Sequence, residues 1–264
     1  MIIDVAEDVT SKLSQLKEAG VTAIIRYDDR FPSGSWKQIH DSEVRAIKDA
    51  KMQLGIVYED AGATASTFTD ANGFAAAAYS RKMAAQRGQP AGSAIYFAVD
   101  FDPSQSDITH RMIPYFQGVA RAMDGSGLQI GVYGSGLACK TLKALNLATL
   151  TWITCSRGFT GSREYIAAGL QDLWQTDCDK DLFGLSVDHN EAKNPAWGWF
   201  IPWGAPVMPV PIPSPPPITH DAQWMQTVLQ AAGLYHGGID GDVGAGTIAA
   251  MIAWMEKTIP EPKS

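Results

Sequence analysis

Over positions 1–201 short apolar runs alternate with segments whose apolar residues recur every three to four positions. The runs Ile2 to Val5, Val21 to Tyr27, Gln53 to Glu59, Ala94 to Asp100, Gln129 to Tyr133, Leu150 to Cys155, Asp172 to Gln175 and Leu185 to Asp188 are rich in β-branched and aromatic residues and predict eight strands. Between them, Asp8 to Ala19, Asp41 to Ala50, Asp70 to Gln86, Asp107 to Met123 and Leu137 to Leu145 predict helices, several opened by a Ser or Asp suited to capping. Strand and helix in strict alternation imply a parallel sheet with right-handed crossovers, and eight strands in this length suit a closed α/β barrel of the (β/α)8, TIM-like class. A doubly wound open sheet is the alternative, but no GxGxxG follows the first strand to favour it.

The pattern breaks between Asn194 and Thr219, where charged side chains are absent and nine prolines fall. Proline at that density excludes a membrane helix and favours polyproline II, a stiff spacer spanning roughly 40–50 Å here, although a proline-rich ligand for another domain would read the same way. The chain therefore divides into a barrel at 1–201, a linker at 202–218 and a small all-α domain at 219–258. In the last, helices at Thr219 to Ala232 and Ala245 to Lys257 flank a loop in which Gly237, Gly238, Gly241 and Gly244 permit tight turns.

Composition narrows the class. With 28 Asp and Glu against 21 Lys and Arg the formal charge is −7, which argues against a duplex nucleic-acid binder. Hydrophobic residues at 45% and charged residues at 19% suit a soluble globular fold, read as a monomer with no membrane insertion. Cys139, Cys155 and Cys178 have no metal-ligand spacing and are expected as buried thiols rather than as a disulfide with one spare. The acidic start, Met1 to Asp8, lacks the basic and apolar regions of a Sec signal. Delivery to a cell wall or periplasm would then need phage lysis or a dedicated secretion machine.

Polar residues gather at the ends of the expected strands, which in such barrels form the mouth where ligands bind. Asp4, Arg26, Tyr58, Glu59, Asp100, Asp102, Tyr133, Trp174, Gln175 and Asp188 are the candidates. In Asp100-Phe101-Asp102, period-two alternation predicts two carboxylates on one side, whose pKa values repulsion pushes apart into one acid and one base. A glycosidase needs that pair; a divalent-metal site or a plain acidic loop would look the same. Arg26 would fix a rim carboxylate or touch substrate, and Tyr58, Tyr133 and Trp174 are expected as sugar-stacking faces, with Gln175 the polar companion of Trp174.

The segments Leu16 to Val21, Ala23 to Tyr27, Gly55 to Glu59, Ile95 to Asp102, Gly131 to Gly134 and Leu173 to Thr176 resemble the glycoside-hydrolase-like family DUF1906, related to the family 25 lysozymes. The resemblance implies a muramidase-type barrel acting on bacterial peptidoglycan without a cofactor. Asp4 matches the first-strand acid, Asp100 the first acid of an Asp-x-Glu pair, Asp102 its Glu, the proton donor, and Asp188 the late-strand acid. Because Asp102 is a methylene shorter than that Glu, Glu59 is the alternative donor. In the last domain Trp224-Met225-Gln226, Gly233-Leu234-Tyr235, Ile239-Asp240-Gly241 and Thr247 resemble a helical peptidoglycan-binding domain. The function so implied is cleavage of the β-1,4 bond after N-acetylmuramic acid. The alternatives are a silent wall-glycan binder and a metal-dependent hydrolase using Asp100, Asp102 and Glu59.

Overall fold

The structure, a computed structural model, describes residues 1–31, 36–60, 64–203 and 222–258. Along the chain run β1 (Ile2–Val5), α1 (Leu13–Glu18), β2 (Ala23–Asp28), α2 (Asp41–Asp49), β3 (Gln53–Tyr58), α3 (Asp70–Gln86) and β4 (Ala94–Ala98). There follow α4 (Gln105–Asp107), a π turn, α5 (Ile113–Met123), β5 (Gln129–Gly134), α6 (Gly136–Ala144), β6 (Leu150–Ile153), α7 (Ser162–Ala167), β7 (Leu173–Leu182) and β8 (Leu185–Ala192). The eight strands close into a barrel in sequence order. The expected fold class therefore holds.

One expectation is corrected. β1 to β7 pair in parallel, but β8 runs antiparallel to both β7 and β1. A parallel crossover needs a dozen or more residues, and only Phe183 and Gly184 separate β7 from β8. Both have positive φ, +60° and +83°, the backbone of a tight hairpin turn whose twist matches the strands. The hairpin carries the last strand back past β1 and brings Asp188 directly opposite Asp4. Helix α7, absent from the sequence reading, follows β6, and the first helix starts later than expected, after a 3-10 turn at Thr10–Lys12.

Alternation along the strands sorts two cores. Outward-facing Ile3, Val5, Ile24, Leu54, Ile56, Ile95, Phe97, Val132 and Ile153 pack against the helices. Inward-facing Ala23, Ile25, Val57, Tyr96, Tyr133, Leu150, Trp152 and Leu173 fill the barrel. Trp152 is fully buried and meets the rings of Tyr96 and Tyr133 edge-on, so the barrel is plugged below its mouth.

The opposite end is sealed by the segment after β8. Leu54 and Phe200 exchange backbone hydrogen bonds of 2.8 and 2.9 Å, the Ala94 N–H donates to Gly198 O, and the Tyr96 hydroxyl donates to Trp197 O at 2.6 Å. The Trp197 ring lies 2.6 Å from where a Cβ would stand on residue 55, which is why that strand carries Gly55. Most of the proline-rich linker, including any polyproline II geometry, lies outside the described residues.

The C-terminal residues form α8 (Ala222–Ala231) and α9 (Ala245–Thr258) around the glycine-rich loop. Gln226 is its buried hub: Nε2 donates to Asp240 Oδ1 at 2.8 Å, Asp242 O at 2.9 Å and Thr247 Oγ1 at 3.2 Å, while Oε1 accepts from the Gly241 N–H at 2.8 Å. The sequence spacing singled out in this module thus converges on one side chain. Leu229, Tyr235 and Ala250 make its small core.

Candidate functional site

The mouth has a hydrogen-bonded floor built from inward-facing residues of five strands. Asp4, on β1, is 2% exposed and accepts from Tyr27 OH at 3.2 Å, from Gln175 Nε2 at 3.2 and 3.1 Å, and from Asn190 Nδ2 at 2.6 Å. Gln175 Nε2 also donates to Asp188 Oδ2 at 3.0 Å, so one amide holds two carboxyls. Asn190 Oδ1 in turn accepts from the Trp152 indole at 2.8 Å, tying the network to the barrel plug. Burial and the neighbouring Asp188 raise the pKa of Asp4 to about 7 against the pull of its three hydrogen-bond donors.

Glu59 and Asp100 stand at the same mouth, and Asp100 is close enough to both Glu59 and Asp188 for their charges to interact. Glu59 pairs with Lys37 Nζ at 2.8 Å; burial raises its pKa and Lys37 lowers it. Asp100 is open to solvent and makes no direct hydrogen bond among the described residues, yet the walls of the mouth strip part of its hydration and raise its pKa, with Lys37 pulling the other way. Asp188 is raised by desolvation and by Asp179 and Asp100, against the Asp179 N–H bond at 2.8 Å. The fields meet on two phenols. Burial and then Asp4, Glu59 and Asp188 push Tyr27 far up; burial and then Asp100, Asp4 and Glu59 do the same to Tyr133. Four carboxyl groups therefore face one opening with a hydrogen-bonded floor.

The structure separates the remaining expected residues from this opening. Arg26 faces outward from β2, where it is 1% exposed, grips Glu43 of α2 at 2.6 and 3.0 Å and caps Val5 O, Ala6 O and Lys37 O. It is a strut between strand and helix and touches no rim carboxylate. Tyr58 also faces outward; its hydroxyl donates to Asp60 and accepts from Arg30 Nε at 3.0 Å, and its ring is buried. Trp174 packs on the outer layer under Arg157, because alternation sends it to the side opposite Gln175. Gln175 is accordingly partner to the acids, not to Trp174. Tyr133 does face inward, but as floor: its ring lies on Trp152 and its hydroxyl contacts Thr154 Oγ1 and Gln175 Oε1.

Asp102 departs from the expected pairing with Asp100. β4 ends at Ala98, so strand alternation no longer governs residue 102. Both Asp102 oxygens accept hydrogen bonds from Thr160, from its N–H and its hydroxyl, each at 2.9 Å. The carboxylate clasps the loop after β4 to the loop before α7. The cysteine expectation is also corrected: Cys155 and Cys178 form a disulfide and only Cys139 is a free, buried thiol. Parallel neighbours β6 and β7 bring the two chain segments together, which spacing in sequence could not reveal.

Tyr27, at the rim end of the second strand, and Lys37 and Asn190, which are not among the sequence candidates, complete the site. Asn190 carried a signal, two positions from Asp188 and hence on the same strand face. Lys37 carried none, since its reach across to Glu59 depends on how its loop folds. Among the described residues no three His, Cys, Asp or Glu side chains gather to hold a metal ion, and no helix is long and apolar enough to cross a membrane.

Comparison with known proteins places this geometry. The barrel is 33% identical over 176 residues to protein YbfG of Bacillus subtilis, covering 61% of this chain and 24% of that protein. It is 27% identical over 166 residues to FadG of the same organism, covering 61% and 29%. The chain thus spans under a third of the length of these curated relatives. In structure it resembles the Tat-secreted protein Rv2525c of Mycobacterium tuberculosis, solved with L-tartrate, with TM-score 0.65 and 23% identity over 77% of this chain and 98% of that one. The modular autolysin LytC of Streptococcus pneumoniae shares the fold at TM-score 0.51 and 14% identity, over 72% of this chain and 45% of that one. The family model for the Rv2525c-like, glycoside hydrolase-like domain matches residues 14–206, all but the first strand of the barrel and its seal, and this chain belongs to that family.

Proposed function

We propose that this protein hydrolyses bacterial cell-wall glycan as a lysozyme-like N-acetylmuramidase, cutting the β-1,4 bond after N-acetylmuramic acid. The observation that carries the reading is the convergence of Asp4, Glu59, Asp100 and Asp188 on one mouth of a glycoside hydrolase-like barrel. Glycosidic cleavage needs a protonated carboxyl to give its proton to the leaving oxygen and a carboxylate to stabilise the cationic sugar or activate water. Asp100, without a hydrogen-bond partner among the described residues and with a raised pKa, suits the first role; Glu59, facing Lys37, suits the second. Asp4 and Asp188, locked by Gln175, fix the polar floor beneath the reacting sugar.

The second module, with its Gln226-centred loop, serves in this reading as a wall-binding unit that raises the local concentration of barrel on polymer. A disulfide persists in oxidising compartments, and the secreted relative Rv2525c points the same way, so the working place is outside the cytoplasm. Phage lysis or a dedicated export machine would deliver it.

A second reading has its own support. With Asp102 occupied by Thr160 and Glu59 by Lys37, both donors expected from the sequence are engaged, which suits a barrel that holds wall glycan without cutting it. Digestion of purified peptidoglycan by the full chain and by Asp100→Asn, Glu59→Gln and Asp102→Asn, with mass spectrometry of the soluble products, separates the two. Muropeptides with reducing N-acetylmuramic acid, lost in Asp100→Asn or Glu59→Gln, establish the muramidase. Sedimentation with the wall and no release from any form would leave the binding reading.

A further inference from the structure

We propose that the Cys155–Cys178 disulfide is a positioning bond for the acidic floor: while oxidised it fixes the Gln175 amide so that its NH2 faces Asp4 and Asp188, and reduction frees it. The inference rests on the reading of the mouth as the functional site.

The pairing of β6 with β7 covers only Trp152 with Leu173 and Ile153 with Trp174, and stops just before Gln175. On its other side β7 pairs with β8 irregularly, with register shifts between Gln175 and Asp177 and again between Asp177 and Lys180. The β6–β7 seam thus has the fewest paired residues of the barrel's eight and ends before Gln175, whose ladder partner is Asn190 of β8. The disulfide bridges this gap, two residues past β6 on one side and three past Gln175 on the other, with the two Cα atoms 6.4 Å apart.

The same cysteine supplies the orienting contact. The Cys155 backbone N–H donates to Gln175 Oε1 at 3.1 Å. A backbone N–H can only donate, so the amide oxygen must point to Cys155 and the NH2 must point to the carboxyls. A rotated Gln175 would set its oxygen against Asp4 and Asp188 and leave an acceptor facing two acceptors. Tyr133 OH, 2.9 Å from the same oxygen, can turn to Thr154 Oγ1 at 3.0 Å instead and is the weaker constraint.

The test compares the full chain before and after treatment with a phosphine reductant. The S–S bond takes up two electrons and two protons to give two thiols, and the phosphine becomes its oxide with oxygen from water. The readout is hydrogen exchange of the side-chain amides of Gln175 and Asn190 by NMR, with Gln175→Glu assigning the first signal. Asn190 binds the same Asp4 from β8 without touching either cysteine and reports the floor itself. Exchange at Gln175 should rise about tenfold or more on reduction while Asn190 stays protected, and release or sedimentation of wall should fall. The double variant Cys155→Ser with Cys178→Ser should behave as the reduced chain.

Unchanged Gln175 exchange with both thiols shown free by mass overturns the proposal. So does simultaneous loss of Gln175 and Asn190 protection with the circular-dichroism signal, which makes the bond a staple of the whole barrel. A rise at Gln175 alone, in a protein that neither cuts nor binds wall in either state, supports the clamp and instead refutes the reading of the mouth.

Discussion

Asp4 and Asp188 stand directly opposite each other on antiparallel β1 and β8, and the Gln175 amide donates to both. Like charges across a strand pair repel, and the Gln175 amide that donates to both carboxyls, with the raised pKa that keeps the proton on Asp4, offsets the second charge.

Stability should therefore fall with rising pH. Asp4 keeps its proton to about pH 7 when folded and loses it near 3.8 when unfolded, so the folded state binds more protons between those values. Its contribution is fully present below pH 4, declines through the window and is gone above pH 7. The shift corresponds to about 4 kcal/mol. The raised Asp100, Glu59 and Asp188 act in the same direction. Urea unfolding at a series of pH values should show this slope, and Asp4→Asn should remove half of it or more.

Gln175→Glu puts a third carboxyl between two others. We expect a loss of about 2–4 kcal/mol, larger at pH 8 than at pH 5, since the substitution removes the donor and adds charge. Denaturation midpoints at the two pH values check it; an equal loss at both would place the effect in packing.

Lys37 lowers both Glu59 and Asp100. Lys37→Met should raise both, moving the acid and alkaline limbs of the pH profile of wall hydrolysis upward together. Movement of one limb alone would show that only one of these carboxyls works in the reaction.

Asp28 and Arg87 form a buried pair, 2.8 and 2.5 Å across two bonds, between β2 and the end of α3. Arg87→Leu should cost about 3–5 kcal/mol by stranding the carboxylate, and Arg87→Leu with Asp28→Leu should cost less than that single change. Chemical denaturation of the three forms measures the difference.

Gln226→Ala removes the hub of the C-terminal module. Calorimetry of the full chain should lose or lower the module's transition, by about 2–3 kcal/mol, and leave the barrel's transition in place. Binding to sedimented wall should fall with it.

What the sequence determined by itself is local and periodic. Near-continuous apolar runs such as Ile2 to Val5 or Ala94 to Ala98 specify strands buried on both faces, and eight such runs, all but the last two joined through helical turns, close a barrel. It also marked Asp4, Glu59, Asp100 and Asp188, because acids at strand ends land on the rim. Alternation carried one step further would have removed Arg26, Tyr58 and Trp174, whose parity points outward. Only the tertiary structure decided the rest. The Phe183-Gly184 turn reverses β8 and sets Asp188 against Asp4; the end of β4 at Ala98 frees Asp102 to reach Thr160; Lys37 meets Glu59 across 22 residues, and Cys155 meets Cys178 across 23. Such partners are chosen by how loops fold over a closed barrel, a long-range property that no periodicity along the chain encodes.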